Sequence, residues 1–296
     1  MTTKNQDLSI RTYQKQFKEL LTAVFEKKAY FKDFFVNETI EALDGVQHNK
    51  TAFSVKTSDI PVAVTTYSKD ANVAFGTGTA KSSRFGERTE VIYSDTDVDY
   101  TWEWAFHEGL DRHTVNNDLS AALADRLELQ AIAKTEKFNA NHGKFISDSA
   151  TKTLELADYK PESVLKLFNE LSKYFINVGA TGEKAVKVNA DLYNAIVDHP
   201  LMTTGKNSGT NIDENSVIKF KGFTVEEVPD ALFQKGEGCY AYIKHIAKAF
   251  TGINTTRAIE SEDFDGLALQ GAGKAGEFIP DDNKKAVVKV TVTPAI

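Results

Sequence analysis

The sequence predicts an α+β fold in which a discontinuous outer domain carries an inserted α/β domain. Three patterns lead to this prediction: an aromatic strand at 98–106, a long amphipathic helix directly after it, and a closing strand near the C-terminus. With 296 residues, 41% hydrophobic and 26% charged, the chain has the composition of a globular protein. It is long enough to form one large or two smaller domains.

Charge and cysteine content exclude several classes of protein. The net charge is −7 and the isoelectric point about 5.5, whereas proteins that bind nucleic acid through phosphate contacts need a positive surface. The single cysteine, Cys239, cannot form an intramolecular disulfide or a multi-cysteine metal site. No signal peptide and no apolar run of about 18 residues is present. We therefore expect a protein that folds in the cytoplasm.

The first predicted element is an amphipathic helix, or a pair of helices, over Leu8–Phe35. Apolar side chains recur there at helical spacing, namely at Ile10, Tyr13, Phe17, Leu20, Leu21, Val24, Phe25 and Phe31. This stripe must pack either on the core of its own chain or on a neighbouring subunit.

The second element, 57–95, is rich in Thr, Ser, Gly and Ala and has few apolar residues. Short alternating runs flank Gly76, Gly78 and Gly86, which predicts an extended two-stranded excursion. An isolated excursion of this kind is marginally stable in water unless a partner surface holds it. The segment therefore indicates that the protein assembles with a partner, whose surface would hold this extension in place.

Val98–Phe106 alternates aromatic or aliphatic with polar residues, which predicts a strand with one buried face. Asn117 or Asp118 is then expected to cap a long helix that ends at Gly143.

The next elements form the predicted inserted domain. Pro161 begins a helix that ends near Gly179. A short buried strand, a helix and a strand pair joined at Gly222 follow, at Ala185–Val188, Ala190–Val197, Val217–Phe220 and Phe223–Val228. The closing strand, Ala286–Val292, is expected to pair with the strands that precede the long helix.

No motif supports catalysis or a cofactor. His107, Glu108 and His113 resemble a zinc-protease motif, but the second histidine is six residues from the first instead of four. Asp95, Asp97 and Asp99 resemble the start of a calcium loop, but Tyr100 occupies the position that requires glycine. We expect no metal, no cofactor and no enzymatic activity.

Two further features are expected to be structural. Gly271, Gly273 and Gly276 around Lys274 lack the spacing of a phosphate loop, so we expect a flexible surface turn there. Cys239 would need a basic partner such as His245 to act as a nucleophile, and as a lone cysteine in an apolar stretch we expect it to be a small buried residue.

The order of these elements resembles that of tailed-bacteriophage major capsid proteins, which have the Hong Kong ninety-seven type fold. Local sequence agrees at 189–197 (NADLYNAIV) and at 220–230 (FKGFTVEEVPD), which look like the axial domain of those proteins. Residues 263–276 (DFDGLALQGAGKAG) and 281–288 (DDNKKAVV) look like the C-terminal part of capsid proteins from phages of Gram-positive hosts.

The resemblance implies a division of the chain into four parts. Residues 1–56 would be an N-terminal arm, 57–97 an extended β-hairpin loop, 98–158 with 246–296 a peripheral domain with a long spine helix, and 159–245 an inserted axial domain. Inter-subunit contacts are expected from the arm and the loop, at Phe17, Leu20, Leu21, Val24, Lys69, Phe75, Lys81 and Phe85.

The resemblance also implies partners. Such subunits form hexamers and pentamers that close an icosahedral shell, a virion component assembled in the host cytoplasm, around double-stranded DNA without sequence-specific binding. Because no charged scaffolding segment is apparent at the start of this sequence, a separate scaffolding protein and a portal are expected. Lys69 and Lys81 lie in the loop that carries the cross-linking lysine of some members, but no acceptor can be placed and no cross-link is predicted.

Two alternatives stay open. A shell of the encapsulin type would have the same fold but would enclose an enzyme instead of a genome. A metal-dependent hydrolase would use His107, Glu108 and His113.

Overall fold

The structure is a computed structural model that describes residues 28–43, 50–58, 60–71, 73, 83–86, 88–115, 118–203, 210–211 and 216–292. Their contacts divide these residues into two units, one formed by 28–43 with 101–292 and the other by 50–100. In chain order the strands are β1 (Phe35–Ala42), β2 (Thr51–Thr57), β3 (Ser94–Asp99), β4 (Trp102–Asp111), β5 (Lys152–Leu156), β6 (Lys184–Val188), β7 (Thr210–Asn211), β8 (Ser216–Val217), β9 (Lys219–Phe220), β10 (Phe223–Glu227), β11 (Glu237–Ile243), β12 (Ala247–Glu260), β13 (Gly266–Phe278) and β14 (Val287–Val292). The helices are α1 (Leu119–Ser149), α2 (Pro161–Asn177), α3 (Ala190–Val197), α4 (Pro200–Thr203) and α5 (Asp281–Lys284).

The larger unit contains a six-stranded sheet with the order β5-β14-β11-β6-β10-β9. Successive residues of its strands point to opposite faces of the sheet. Both faces of the central strands are buried, because a layer of the fold packs on each of them. Val186, Val188, Ala241 and other residues of one face pack with α2 and α3. The opposite face packs against the residues that precede β1 and against Ile146 of α1, through Ala185, Tyr240, Tyr242 and Val287.

A second sheet of this unit has the order β1-β12-β13-β4. The prediction of one strand over Val98–Phe106 is wrong at its start, because β3 ends at Asp99 in the smaller unit and β4 begins at Trp102. From Trp102 onward β4 alternates half-buried and exposed residues, as the sequence predicts. The half-buried side chains face α1, where the Trp102 and Phe138 rings meet edge to face at 4.6 Å. Helix α1 therefore connects the two sheets.

The smaller unit consists of the antiparallel pair β2 and β3 and the chain between them. Polar pairs join the two strands: Ser54 Oγ donates to Asp97 Oδ1 at 2.5 Å, and Lys50 Nζ lies 2.9 Å from Asp99 Oδ2. Further out, the Ser68 amide donates to the Arg84 carbonyl at 2.9 Å. The two limbs run side by side there, which agrees with the predicted two-stranded excursion.

The structure also confirms the ends of several predicted elements. The Asp118 side chain accepts from the Ala121 amide at 3.3 Å and caps α1, while Asn117 lies outside the described residues. Helix α2 begins at Pro161, and Gly179 just beyond it adopts φ +68°, the left-handed conformation typical of a helix stop.

Helix α1 does not end at Gly143, as predicted, but continues to Ser149. A Cβ atom at position 143 would lie 2.5 Å from the Leu232 carbonyl oxygen and 3.3 Å from the Phe31 ring. This glycine therefore allows close approach of the neighbouring backbone and does not terminate the helix.

The predicted pairing of the closing strand is wrong. Strand β14 pairs in parallel with β5 and antiparallel with β11, and so completes the six-stranded sheet. Its valines are buried on both faces, with Val287 on one side and Val288 and Val290 on the other. A strand with one exposed face would need apolar residues only at every second position. The consecutive buried valines of β14 therefore fit a strand that is covered on both faces.

The prediction of a helix through Phe35 is also wrong in the part that the structure describes. Residues Lys32–Phe34 form one 3-10 turn, and β1 begins at Phe35. The Phe34 and Tyr242 rings meet edge to face at 4.8 Å, and β1 pairs in parallel with β12. Tertiary packing thus overrides the helical spacing of the aromatic residues.

Gly271, Gly273 and Gly276 do not form a flexible surface turn, as predicted, but belong to the inner strand β13. A Cβ atom at position 271 would lie 2.1 Å from the Phe106 ring, and one at position 273 would lie 2.4 Å from the Trp104 ring. The aromatic rings of β4 cover Gly271 and Gly273, so glycine at these two positions is a packing requirement of the sheet.

Candidate assembly surface

The candidate site is the exposed surface of the smaller unit. Val62 and Val64 are each 93% exposed, and other apolar side chains of the same unit are more than half exposed, namely Phe85, Val91, Ile92 and Tyr93. Exposed apolar groups in this number are typical of surfaces that another protein covers.

Local contacts keep the two limbs of this unit together. Thr65 Oγ1 donates to the Phe85 carbonyl at 2.9 Å, and an Arg84 guanidinium nitrogen donates to the Ser68 carbonyl at 3.2 Å. The Tyr67 and Phe85 rings meet edge to face at 5.3 Å. The limbs therefore present their apolar side chains on a paired backbone.

The predicted contact residues are only partly placed. Phe85 and Lys69 are exposed on the limbs just described. Phe75, Lys81 and the arm residues Phe17, Leu20, Leu21 and Val24 lie outside the described residues, so their roles stay predictions.

Charge pairing stabilises the base of this unit. The Lys50 ammonium donates to the Asp99 carboxylate and lowers the pKa of that side chain below its ordinary value. Asp95 lies 3.6 Å from Lys56, and Asp97 accepts from Ser54. The acidic row that resembles a calcium loop is thus a set of cross-strand pairs on β3.

The residues of the zinc-like motif do not converge. Glu108 accepts from Gln130 at 2.6 Å and pairs with Arg126, whereas His107, on the opposite face of β4, lies 3.2 Å from the Gln270 amide nitrogen. His113 pairs with Asp265 at 3.4 Å. Within the described residues no group of three potential metal ligands comes together.

Cys239 is fully buried in β11, and burial raises the pKa of its thiol well above the ordinary value. The lone cysteine is therefore a small core residue, as predicted from the sequence. Its predicted basic neighbour, His245, directs Nδ1 at the Phe35 carbonyl 3.2 Å away.

The sequence did not predict a buried charged cluster beneath the segment that precedes β1. Lys187 of β6, 1% exposed, contacts Asp33 and Glu226. The Tyr242 hydroxyl donates to the same Asp33 oxygen at 2.8 Å. The sequence signal was Lys187, which lies between two valines in β6.

Among the described helices, none combines the length and the hydropathy that crossing a membrane requires.

No protein-family model matches this sequence, and no curated protein matches it. Solved structures are similar to it over nearly its whole length. The capsid structure of the cyanophage P-SCSP1u shares 12% identity, covers 100% of this chain and 96% of its own, and gives a TM-score of 0.68. The mature capsid of bacteriophage PhiM1 shares 11% identity, covers 96% and 93%, and gives 0.66.

A third similar structure, from Mycobacterium phage Che8, shares 15% identity, covers 80% of this chain and 83% of its own, and gives a TM-score of 0.60. At such identities the likeness establishes the fold. The chain therefore has the α+β fold of bacteriophage capsid proteins, the Hong Kong ninety-seven type that its sequence resembles.

Proposed function

We propose that this chain is a phage major capsid protein whose copies assemble as hexamers and pentamers into an icosahedral shell around double-stranded DNA. The observation that carries the proposal is the apolar surface of the smaller unit, with Val62 and Val64 each 93% exposed. The capsid fold supports it, because this fold occurs in subunits of closed shells in the structures named above.

Burial of these side chains against a neighbouring copy favours assembly. Fully burying one valine or phenylalanine contributes about 1.5 to 3 kcal/mol, and each copy exposes several such groups. In the described part of this unit, Val98 is the only buried hydrophobic residue. The unit therefore gains more apolar burial from a neighbour than from its own interior.

The acidic composition suits a container for DNA. A net charge of −7 disfavours tight binding to phosphates, so the enclosed genome can move during packaging and release. The proposal includes a separate scaffolding protein and a portal as assembly partners, and a virion as the final location.

We further propose the division of the chain made above: an arm at 1–56, a loop at 57–97, a peripheral domain at 98–158 with 246–296, and an axial domain at 159–245. Strand β2, which lies at the end of the proposed arm, pairs with β3, so the paired strands extend beyond the proposed loop at both ends. Strands β5 and β14 lie outside the proposed axial domain, yet β14 pairs with β11 and β5 pairs with β14, so the flanking segments also contribute strands to the axial sheet.

The proposal is tested by shortening the loop. Replacing 69–85 with a short Gly/Ser linker should leave a cooperatively folding subunit, because the β2–β3 pair and the larger unit lie outside the deletion. Sedimentation velocity should then show subunits and no shells. Unfolding of the variant, or normal shells, would contradict the proposal.

A point substitution provides a matched test. Val64→Asp places a charge on the proposed contact, and Ile176→Asp places the same charge on α2, where Ile176 is 69% exposed. We expect the first variant to lose shells and the second to keep them. Analysis of the contents of wild-type shells separates a genome shell, which encloses DNA, from the encapsulin-type alternative, which encloses protein.

A further inference from the structure

Lys187 of β6 places a primary amine inside the core of the larger unit. Its side chain is 1% exposed, and its Nζ atom lies 3.0 Å from Oδ1 of Asp33, whose side chain is 12% exposed. The Glu226 carboxylate contacts the same Nζ atom. An amine nucleophile, a carboxyl group and a second carboxylate that can carry protons therefore meet at one point. An amide bond between two side chains requires these groups.

Paired backbone holds these side chains in place. Lys187 lies opposite Glu226 in the parallel pair of β6 with β10, and opposite Tyr240 in the antiparallel pair of β6 with β11. The Asp33 carbonyl accepts from the His245 amide at 3.0 Å. Reacting groups that a structure orients in this way reach effective concentrations of about 10⁵ to 10⁸ M. The fold therefore supplies the proximity that the same two side chains lack in water.

A tyrosine hydroxyl polarises the Asp33 carboxyl group. The Tyr242 hydroxyl donates to Asp33 Oδ1 at 2.8 Å. The rings of Tyr242 and Phe34 meet edge to face at 4.8 Å, and both side chains are fully buried. A fixed hydroxyl donor in such apolar surroundings stabilises the negative charge that develops on a carboxyl oxygen when a nucleophile attacks the carbon.

Formation of an amide would remove two charges from this part of the core. An ion pair that is taken out of water keeps a desolvation penalty that the attraction between its members only partly offsets. A neutral amide carries no such penalty, and the water that it releases joins the solvent. The burial that makes the ion pair costly therefore favours the covalent product.

We propose that Lys187 and Asp33 join in an isopeptide bond within one chain. The ion pair is the reactant state. Lys187 Nζ forms a bond to Asp33 Cγ, one Cγ–Oδ bond breaks, and the oxygen leaves as water with two protons from the ammonium group. Glu226 accepts a proton from the ammonium and passes it to the leaving oxygen, so it ends unchanged.

The bond would tie the segment that precedes β1 covalently to the centre of the six-stranded sheet. Unfolding could then no longer separate this segment from β6. The inference goes beyond the proposed shell function and does not depend on it.

The mass of the intact, denatured chain tests the bond. After prolonged incubation in the folded state, the purified wild-type chain should be lighter than its sequence by one water molecule. Lys187→Arg keeps the positive charge but removes the amine, and this variant should keep its full mass. Lys244→Arg changes a lysine that pairs with Glu183 at 3.0 Å, and as the control it should still lose one water. A wild-type chain at its full mass would overturn the inference.

Peptide mapping locates the lost water. Trypsin cleaves after lysine and arginine, so Asp33 lies in the peptide 33–50, and Lys187, once its amine is blocked, lies in the peptide 185–206. The two should appear as one branched species with the mass of both peptides less one water. Water loss confined to a single peptide, as cyclisation of Asp44 onto the Gly45 amide would give, would overturn the inference.

Glu226→Gln tests the proton transfer. Glutamine has nearly the same size but cannot accept the proton, so water loss should slow at least about 100-fold, with the circular dichroism spectrum unchanged. Glu227→Gln changes the next, exposed residue of β10 and is the matched control, which should react at the wild-type rate. Equal rates in the two variants would overturn the role given to Glu226.

The outcomes separate this inference from the proposed function. A bonded chain that never forms shells would support the isopeptide bond and overturn the shell function. Shells whose subunits keep their full mass would overturn the bond alone.

Discussion

Lys187 Nζ lies 3.0 Å from Asp33 Oδ1 although the lysine side chain is only 1% exposed. The contact joins the segment that precedes β1 to β6 in the middle of the six-stranded sheet. Glu226 of the adjacent strand β10 is the second partner of the lysine, and Lys28 pairs with the other oxygen of Glu226 at 2.5 Å. A chain of charges thus fixes residues 28–33 against the six-stranded sheet.

Removing the lysine should destabilise the subunit strongly. Lys187→Ala leaves the carboxylates of Asp33 and Glu226 without their buried partner, and such losses cost about 3 to 5 kcal/mol. Urea unfolding measures the effect. Lys285→Ala removes the exposed pair with Asp282 and should change the stability very little, because water screens an exposed ion pair. Equal losses in the two variants would show that the buried pair has no special role.

The covered glycines of β13 should not tolerate a side chain. Gly271→Ala places a methyl group 2.1 Å from the Phe106 ring, and the resulting overpacking should cost about 1 to 3 kcal/mol in the free energy of unfolding. Ala272→Ser, on the exposed face of the same strand, is the control. Adding Phe106→Leu to Gly271→Ala should cost less than the sum of the single changes. Strict additivity would contradict the packing argument.

Acid should destabilise the subunit through His142. This side chain lies between the Phe35 and Phe138 rings, and burial lowers its pKa to about 3, against about 6.5 in an unfolded chain. Between these values the unfolded state binds the additional proton, so stability falls as the pH falls. The linkage relation gives a loss of about 2 kcal/mol between pH 7 and pH 5.

The variant His142→Gln isolates this effect. Glu277, whose carboxylate lies 3.5 Å from His142, has a pKa raised by burial and contributes with the opposite sign, since its stability contribution falls as pH rises. Because the variant retains Glu277, the difference in pH slope between the two proteins belongs to the histidine. The free energy of unfolding in urea is measured for both proteins at pH 7 and at pH 5. An equal loss of stability in the wild type and in His142→Gln would refute the assignment to the histidine.

The apolar stripe of the predicted arm helix should act in assembly. Replacing Phe17 and Leu21 with Asp should reduce shell formation more than it lowers the melting temperature of the isolated subunit. Lys15→Asp with Lys18→Asp changes the polar side of the same predicted helix and is the control. Equal effects on assembly and melting would mean that the stripe belongs to the core of its own chain.

Elements with strong local signals were predictable from the sequence. Helix α2 has a proline at its start, a regular apolar stripe and a glycine beyond its end, and these signals agree with one another. Strand β4 alternates bulky and polar residues along its length. In both cases the local preference and the tertiary packing favour the same structure.

Other features depend on partners distant in sequence. Gly143 permits close approach of the Leu232 carbonyl oxygen, and Gly271 and Gly273 lie under aromatic rings of β4. The local sequence around each glycine gives no sign of these contacts. The partner of β14 could not be inferred because several strands have similar apolar patterns. Burial on both faces is the property that distinguishes its true position.

The candidate surface was predictable in outline only. A composition poor in apolar residues between 57 and 95 indicated an excursion that needs a partner, and the exposed Val62 and Val64 agree with it.

Cryo-electron microscopy of the purified wild-type chain tests the central claim most directly. The account predicts capsomer rings or closed shells in which Val62 and Val64 of one copy are buried against a neighbouring copy. Dispersed subunits at concentrations that assemble other shell proteins, or particles in which these valines face solvent, would contradict it.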